Sequence, residues 1–396
     1  MTVTERSGRP SGAERRPLRL RLARRLPRRA AGFVILAGAV VTAFAVGAVM
    51  LAALGANPLV GYVAMIIGAV GSADALADTA IKATPLMLVG VGICIAFRTG
   101  VINIGGEGQI IAGAISSATV ALVVPGLPPV VLVPLVLVAG GVGGGLWGAI
   151  PGALKAYAGV NEILSTIMMN IVAGQLMSFL LQDLLIEEGG LKIQQTARLS
   201  EKADLPLLPG GTRLHLGFVV ALIVAGLGYL LLFRTAQGLR LRSVGHNPDA
   251  SRYAGMRVER SIVRALAYSG ACAGVAGAVL VFGSESHRLI GEGGPAAFTQ
   301  SAGFNGIVAA LFGGLHPLWT IPASVLFGGM LSGGVDLQRD LQVESTLIVA
   351  LNGVVVVFVV GSLKLRTWLD RRFVAEPEPA PEPAPEPESA PEVVEA

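Results

Sequence analysis

Charge is scarce in this chain. Asp, Glu, Lys and Arg make up 14% of 396 residues, against about 25% in a soluble domain, which excludes a soluble enzyme with an ordinary hydrated surface. Aromatics are scarce too, at 5%. The two cysteines, Cys94 and Cys272, lie in apolar runs without the spacing of a redox or metal pair, so the chain is not a disulfide scaffold. None of the five lysines follows a glycine, so there is no G-x-x-x-x-G-K-[ST] loop to hydrolyse ATP. The four histidines, His215, His246, His287 and His316, are far apart in sequence, and neither H-E-x-x-H nor a G-x-S-x-G elbow occurs. The apolar stretches also lack the Asp/Glu/His ladder of many proton-coupled carriers. These absences argue against an enzyme and predict no metal or cofactor in this chain. Any work done must draw on energy supplied elsewhere, or the protein is a passive pore.

What is abundant is apolar. Hydrophobic residues reach 53%, mean hydropathy is +0.68, and 53 of 396 residues are glycine, a composition suited to helices packed closely in lipid. A crossing needs about 20 apolar residues, so the charge-free intervals mark the spans: 30–73, 83–97, 108–154, 163–182, 214–233, 265–284, 293–335 and 345–363. The interval 108–154 holds two crossings divided at Pro125-Gly126-Leu127-Pro128-Pro129, and 293–335 divides at Gly313-Gly314-Leu315-His316-Pro317. The interval 30–73 holds one crossing, at about 33–54. After the break at Asn57-Pro58 comes a short helix, 59–70, expected on the outer face.

The sequence pI of about 9.3 does not point to nucleic acid, because the basic residues sit beside the spans. Residues 1–29 hold ten Arg against two Glu, and the loop 234–264 holds seven Arg against Asp249 and Glu259. By the positive-inside rule both segments are cytoplasmic, as are Lys364, Arg366, Arg371 and Arg372. The expected fold is therefore an all-α integral membrane protein of about ten transmembrane helices with both termini cytoplasmic, the helices at 83–97 and 293–312 being short. Residues 1–32 form an Arg-rich cytoplasmic N-terminus too long in its apolar continuation for a cleaved leader. Residues 33–364 form the membrane domain, with a cytoplasmic loop over 234–262. Residues 365–396 form a cytoplasmic end whose Glu/Pro/Ala tail from 375 cannot build a core.

Four segments carry polar groups into this apolar frame. The first, 97–109, contains Asn103-Ile104-Gly105-Gly106-Glu107-Gly108-Gln109. Its glycines disfavour regular helix, and a broken helix is tolerated only where protein or water lines it. Asn103, Glu107 and Gln109 offer donors and acceptors there; were the segment only a tight turn, Arg98 and Glu107 would pair. The second, 245–256, lies in the basic loop. Asn247-Pro248 opens a short helix over 249–254 and Gly255 closes it, giving either a docking knob for a cytoplasmic partner or a solvated connector. In the third, Asn161 caps a helix that carries Asn170 into the bilayer. The fourth, 303–317, is a second glycine-punctuated short helix with Asn305 near its start. Paired interruptions in the two halves of a membrane chain point to a central pathway.

Together these residues resemble the permease subunits of bacterial ABC importers, in the ribose and branched-chain amino acid branch and most closely its simple-sugar/nucleoside subgroup. The resemblance is carried by the Asn103–Gln109 run, by Asn161-Glu162 with Thr166, Met168 and Asn170, by Gly245, Asn247, Pro248, Ala250, Arg252, Tyr253 and Gly255, and by Asn305-Gly306-Ile307 with His316-Pro317. It covers roughly 57–365. It implies a cytoplasmic ABC ATPase subunit that holds ATP and Mg, a second and non-identical permease chain, and an extracellular substrate-binding lipoprotein. It also implies that the segment from Gly245 to Gly255 couples to the ATPase. On that reading Asn103, Glu107, Gln109, Asn170 and Asn305 line the substrate pathway of a nucleoside importer. The alternatives are a sugar permease and a stand-alone secondary carrier.

Overall fold

A computed structural model describes residues 28–53, 55–183, 185, 194–284, 286–291 and 295–341, with isolated helical residues between 350 and 361. The helices are α1 (Arg28–Ala53), α2 (Pro58–Val70), α3 (Ala73–Arg98), α4 (Gly106–Val123), α5 (Pro129–Ala158), α6 (Glu162–Asp183), α7 (Gly217–Arg234), α8 (Ala236–His246), α9 (Pro248–Tyr253), α10 (Val258–Phe282), α11 (Pro295–Thr299), α12 (Ala302–Phe312) and α13 (Pro317–Leu341). Extended pairing among the described residues is confined to two isolated bridges. The chain divides into a body, Ala45–Val356, and a small unit formed by its two ends, Met1–Phe44 with Val357–Ala396. The account below concerns the body. The expected tenth crossing, the Arg-rich segment before residue 28 and the Glu/Pro/Ala tail lie outside the described residues.

Among the described residues, seven helices are long and apolar enough to cross a membrane: α3, α4, α5, α6, α7, α10 and α13. The protein is an all-helical, multi-pass membrane protein. α12 has 11 residues, roughly 17 Å of helix at 1.5 Å per residue, too short for a bilayer core of about 30 Å. The half-length expected at 293–312 is thus present. The one expected at 83–97 is not, because α3 runs for 26 residues and takes Asp74, Asp78 and Lys82 into its first turns. A charge does not end a helix when a partner satisfies it: Lys82 Nζ donates to the Leu331 carbonyl of α13 at 3.1 Å. α2 does start at Asn57-Pro58, with Asn57 Oδ1 accepting from the Leu59 amide. It packs along α13, where a Cβ on Gly333 would strike the Met65 carbonyl.

α10 is the central helix, packed on α3, α4 and α5. Its contacts with α4 and α5 are made by facing glycines. A Cβ on Gly144 would stand 2.6 Å from Gly274 Cα, and one on Gly277 would stand 2.8 Å from the Ala114 nitrogen. A Cβ on Gly113 would strike the Gly274 backbone directly. In lipid, where apolar burial gives helices little reason to associate, close backbone approach at small residues supplies the packing.

The arginine-bearing ends of α3, α7 and α10 lie with α8 and α9 at one end of the body. At the other end, the segment 194–216 straps the end of α10. Leu205 N–H donates to Phe282 O at 2.9 Å, Leu199 N–H to His287 O at 2.8 Å and Thr196 N–H to Leu289 O at 3.1 Å. Asp204 Oδ2 lies 2.7 Å from His287 Nδ1; burial raises the Asp204 carboxyl above its ordinary value. His215, 3% exposed, sits at the entry to α7, where its Nδ1 accepts the Gly217 amide at 3.1 Å. Burial holds the His215 imidazole below its usual pKa.

Two predictions follow from these packing and titration facts. Gly144→Ala is expected to destabilise the detergent-solubilised protein by about 1–3 kcal/mol, the usual range for overpacking, whereas Gly226→Ala, with nothing within 4 Å of its Cβ, is expected to cost nothing; thermal unfolding compares them. Because the folded chain resists protonating His215, the unfolded chain binds more protons between the lowered value and about 6.5. The stability tied to His215 is therefore full above that range and falls on acidification. The hydrogen-exchange protection of the Gly217 and Phe218 amides, relative to the unstructured rate at each pH, is expected to fall between pH 7.5 and 5.5. His215→Asn, which keeps an acceptor that does not titrate, is expected to remove that response.

Candidate functional site

α3 ends in a turn that only its glycine makes easy. Gly100 has φ +77°, and the Gly100 and Val101 amides donate back to Phe97 O and Ala96 O at 3.0 and 3.2 Å. Residues 101–104 then run without helix until α4 begins at Gly106. Side chains occupy the polar backbone that this break leaves bare. Asn103, fully buried, donates from Nδ2 to Gln109 Oε1 at 2.9 Å and to Ser269 Oγ on α10 at 2.8 Å. Its Oδ1 accepts from the Gly105 amide at 2.9 Å and from Gln109 Nε2 at 3.2 Å. Asn170 of α6 straddles the break, accepting from the Gly108 amide at 2.8 Å and donating to Ile104 O at 3.0 Å.

Glu107 faces the other interrupted segment. Its Oε1 accepts the Phe304 amide in the first turn of α12 at 3.1 Å, where a helix N-terminus favours negative charge. The two helix starts meet directly: a Cβ on Gly106 would stand 3.1 Å from Gly303 Cα, and one on Gly303 would stand 2.5 Å from the Glu107 nitrogen. Thr299 faces the same carboxylate, yet neither Glu107 Oε2 nor Thr299 Oγ1, both buried, completes a hydrogen bond among the described residues. Of the five expected pathway residues, Asn103, Glu107, Gln109 and Asn170 thus gather at the junction of the two breaks. Asn305 lies next to Phe304 on α12, half-buried, with no side-chain hydrogen bond among the described residues. Arg98 and Glu107 do not pair; Arg98 Nε donates to Leu315 O at 2.6 Å.

The basic segment contains more helix than expected, α8 preceding α9. Asn247 caps α9 by accepting the Ala250 amide at 3.0 Å, Pro248 is its first residue, and Gly255 follows it at φ +77°. Asp249 and Glu259 hold Arg252 at 3.6 and 2.8 Å. Ala250 is exposed, and Tyr253, 95% exposed, projects from the knob. Gly245, at the end of α8, rests on the break itself: a Cβ there would land on the Arg98 carbonyl and 2.8 Å from the Thr99 carbonyl carbon. Beside this seat Arg98 and Arg242 each lie 5.1 Å from the Phe233 ring, and His316 stacks on that ring at 5.0 Å. Burial and the nearby Arg98 hold the His316 imidazole below its usual pKa.

At the opposite end of the body lies a cavity of about 450 Å³ bordered by Lys82, His215, Ser284, Arg288, Thr299 and Gln300. Thr299 is common to this cavity and to the surroundings of Glu107. Sequence reasoning gave these residues no role at a site, nor Ser269 at the break; Thr166 entered only among the residues that carry the family resemblance. Lys82 entered only as the edge of a charge-free interval. The others are single polar residues without a spacing that marks them.

The model of the family described as branched-chain amino acid transport system / permease component matches residues 75–360. The chain is 34% identical over 333 residues to the guanosine ABC transporter permease protein NupP of Bacillus subtilis, covering 83% of this chain and 93% of that one. It is 32% identical over 313 residues to the nucleoside ABC transporter permease protein NupB of Lactococcus lactis, covering 76% and 84%. It is also 32% identical over 334 residues to the glucose ABC transporter permease protein TsgB13 of Haloferax volcanii, covering 82% and 86%. No solved structure matches it. With two broken helices joined at Glu107 and an exposed helical knob seated on one of the breaks, the chain belongs to the branched-chain amino acid transport system permease family.

Proposed function

We propose that this chain is the membrane permease subunit of an ATP-driven ABC importer that takes up nucleosides. The substrate class is supported by the printed names of its nucleoside-transporting relatives; one glucose-transporting relative keeps a sugar as the second reading. The observation that carries the mechanism is the seat of Gly245 on Arg98 and Thr99. It sets the end of α8, just before the exposed α9, in backbone contact with the end of α3 that leads into the break before Glu107. A separate ATPase subunit, holding ATP and Mg, docks on α9 through Ala250 and Tyr253, while Asn247, Pro248, Arg252 and Gly255 hold the knob in shape. A second permease chain and an extracellular binding lipoprotein complete the assembly.

The chain crosses the membrane about ten times with both ends inside. The arginine end is cytoplasmic by the positive-inside rule, and the strapped end faces out. Movement of α9 reaches the turn at Arg98–Gly100 through Gly245, and α12 follows through the Glu107–Phe304 bond. Asn103 and Gln109 lock the break, Asn170 ties it to α6, and Asn305 faces the path beside Phe304. Substrate shifts the equilibrium between access states only through its differential affinity for them.

Purification of the tagged chain with its chromosomal neighbours is expected to recover a P-loop ATPase and a second permease. Recovery of the chain alone, with uptake that persists after ATP depletion at constant ion gradients, would favour a stand-alone carrier. Gly245→Val is expected to reduce labelled-nucleoside uptake about ten-fold or more while the chain still enters the membrane and still retains the ATPase. Glu107→Gln, which removes the charge at the start of α12, is expected to reduce uptake several-fold without loss of membrane insertion; normal uptake would remove Glu107 from the mechanism.

A further inference from the structure

The cavity at the strapped end combines apolar walls with two cationic side chains. Its volume of about 450 Å³ lies within the usual range for small-molecule sites, about 300–1,000 Å³. Its walls are mostly apolar, from Ile81, Pro85, Leu86 and Val279 among others. Its charged side chains, Lys82 and Arg288, are donors, beside the hydroxyls of Ser284, Ser286 and Thr299 and the amide of Gln300, which both donate and accept. The Lys82 ammonium spends one N–H on Leu331 O and has two more. Arg288 donates to Thr196 O at 3.3 Å and adds a second cationic side chain to the lining. His215 Nδ1 accepts the Gly217 amide, so the proton of the neutral ring sits on Nε2; that atom would stand 2.6 Å from a Cβ on Gly283, itself a lining residue. Among the described lining residues there is no carboxylate.

Charge narrows the ligand further. Asp78 and Asp336 lie close enough to act on Lys82 electrostatically, so its positive charge is partly compensated. Such a cavity suits a neutral molecule that presents hydrogen-bond acceptors.

Resting on the nucleoside-importer reading, we infer that this cavity is the subsite that receives substrate, and that Lys82 selects nucleosides whose base presents a carbonyl over those presenting an amino group. The edge of a 6-oxopurine offers O6 and N7, both acceptors, to a cationic donor. Adenine replaces O6 by an N–H donor, which would leave donor facing donor and both unpaired, an arrangement that sites of this kind reject strongly. Thr299 adds a hydroxyl, buried and without a completed hydrogen bond among the described residues, at the border between cavity and Glu107. Gln300 and Ser301 beside it adopt φ of +49° and +57°, an unusual conformation for side-chain-bearing residues that sets the start of α12 under the cavity.

The test is uptake of labelled inosine and adenosine, which differ at the C6 substituent, by the complete transporter in proteoliposomes with ATP. The binding protein is common to all variants, so a change in the inosine-to-adenosine ratio belongs to this chain. The wild type is expected to prefer inosine by roughly ten-fold or more. Lys82→Met is expected to bring the ratio to within about two-fold of unity, while Lys82→Arg, which keeps a cationic donor, keeps the preference. Should Lys82→Met fail to reach the membrane by immunoblot, Thr299→Val carries the test, with a several-fold fall in the ratio expected. A wild type that takes up both nucleosides without preference, or a ratio that neither variant alters, overturns the inference and leaves the importer reading standing. Uptake of neither nucleoside, with glucose transported instead, overturns both.

Discussion

The structure depends on the approach of backbone to backbone at glycine. α10 lies against α4 and α5 where Gly113, Gly140, Gly144, Gly270, Gly274 and Gly277 leave no side chain between the chains. Lipid gives apolar side chains no reason to leave it, so the attraction must come from dispersion and dipolar contact at short range. That requirement explains a composition of 53 glycines in 396 residues in helices that glycine would weaken in water. It also fixes α10 in place, which matters because Ser269 on α10 holds Asn103 in the break. The break is thereby anchored to the glycine-packed α10.

The same residue type serves the opposite end at the break. Gly100 allows the turn, Gly106 allows α12 to come close, and Gly245 allows α8 to sit on the Arg98 carbonyl. An interrupted helix within apolar surroundings would leave amides and carbonyls unpaired at several kcal/mol each. Here Asn103 takes up the Gly105 amide and Asn170 the Gly108 amide and the Ile104 carbonyl, while Gln109 holds the Asn103 side chain in place. The break is therefore a built element with its own hydrogen-bond set, and these amides secure its shape.

Much of this was legible in the sequence, for physical reasons. The Asn161 cap is present, accepting from the Ile163 and Leu164 amides at 2.9 and 3.3 Å, because capping is local. The knob at Pro248–Tyr253 and its closing Gly255 are local in the same way. The interruptions after Arg98 and around Gly303 follow from glycine density. What the sequence did not disclose depends on contacts between distant segments. Lys82 and Asp78 looked like the edge of a span; α3 absorbs them because Leu331, 249 positions away, accepts from the ammonium. Gly245 carried no sign that its neighbour is Arg98. Thr299 and Ser269 are ordinary residues until the fold sets them beside Glu107 and Asn103.

α12 is the element through which these pieces act on one another. It is too short to cross the membrane, so neither of its ends is fixed by an interface with water. Its first turn is held by Glu107 and adjoins the cavity through Thr299–Ser301; its last turn runs into Gly313–His316, where Leu315 O receives Arg98 at 2.6 Å and His316 stacks on Phe233. Arg98 is also the residue on which Gly245 rests. A displacement of α9 thus meets α12 at its far end by way of Leu315 and at its near end by way of the break and Glu107. A rigid helix gripped at both ends by the same segment must shift as a unit. Its two positive-φ residues, Gln300 and Ser301, provide a joint at which that shift can be absorbed without disturbing the glycine-packed helices around it.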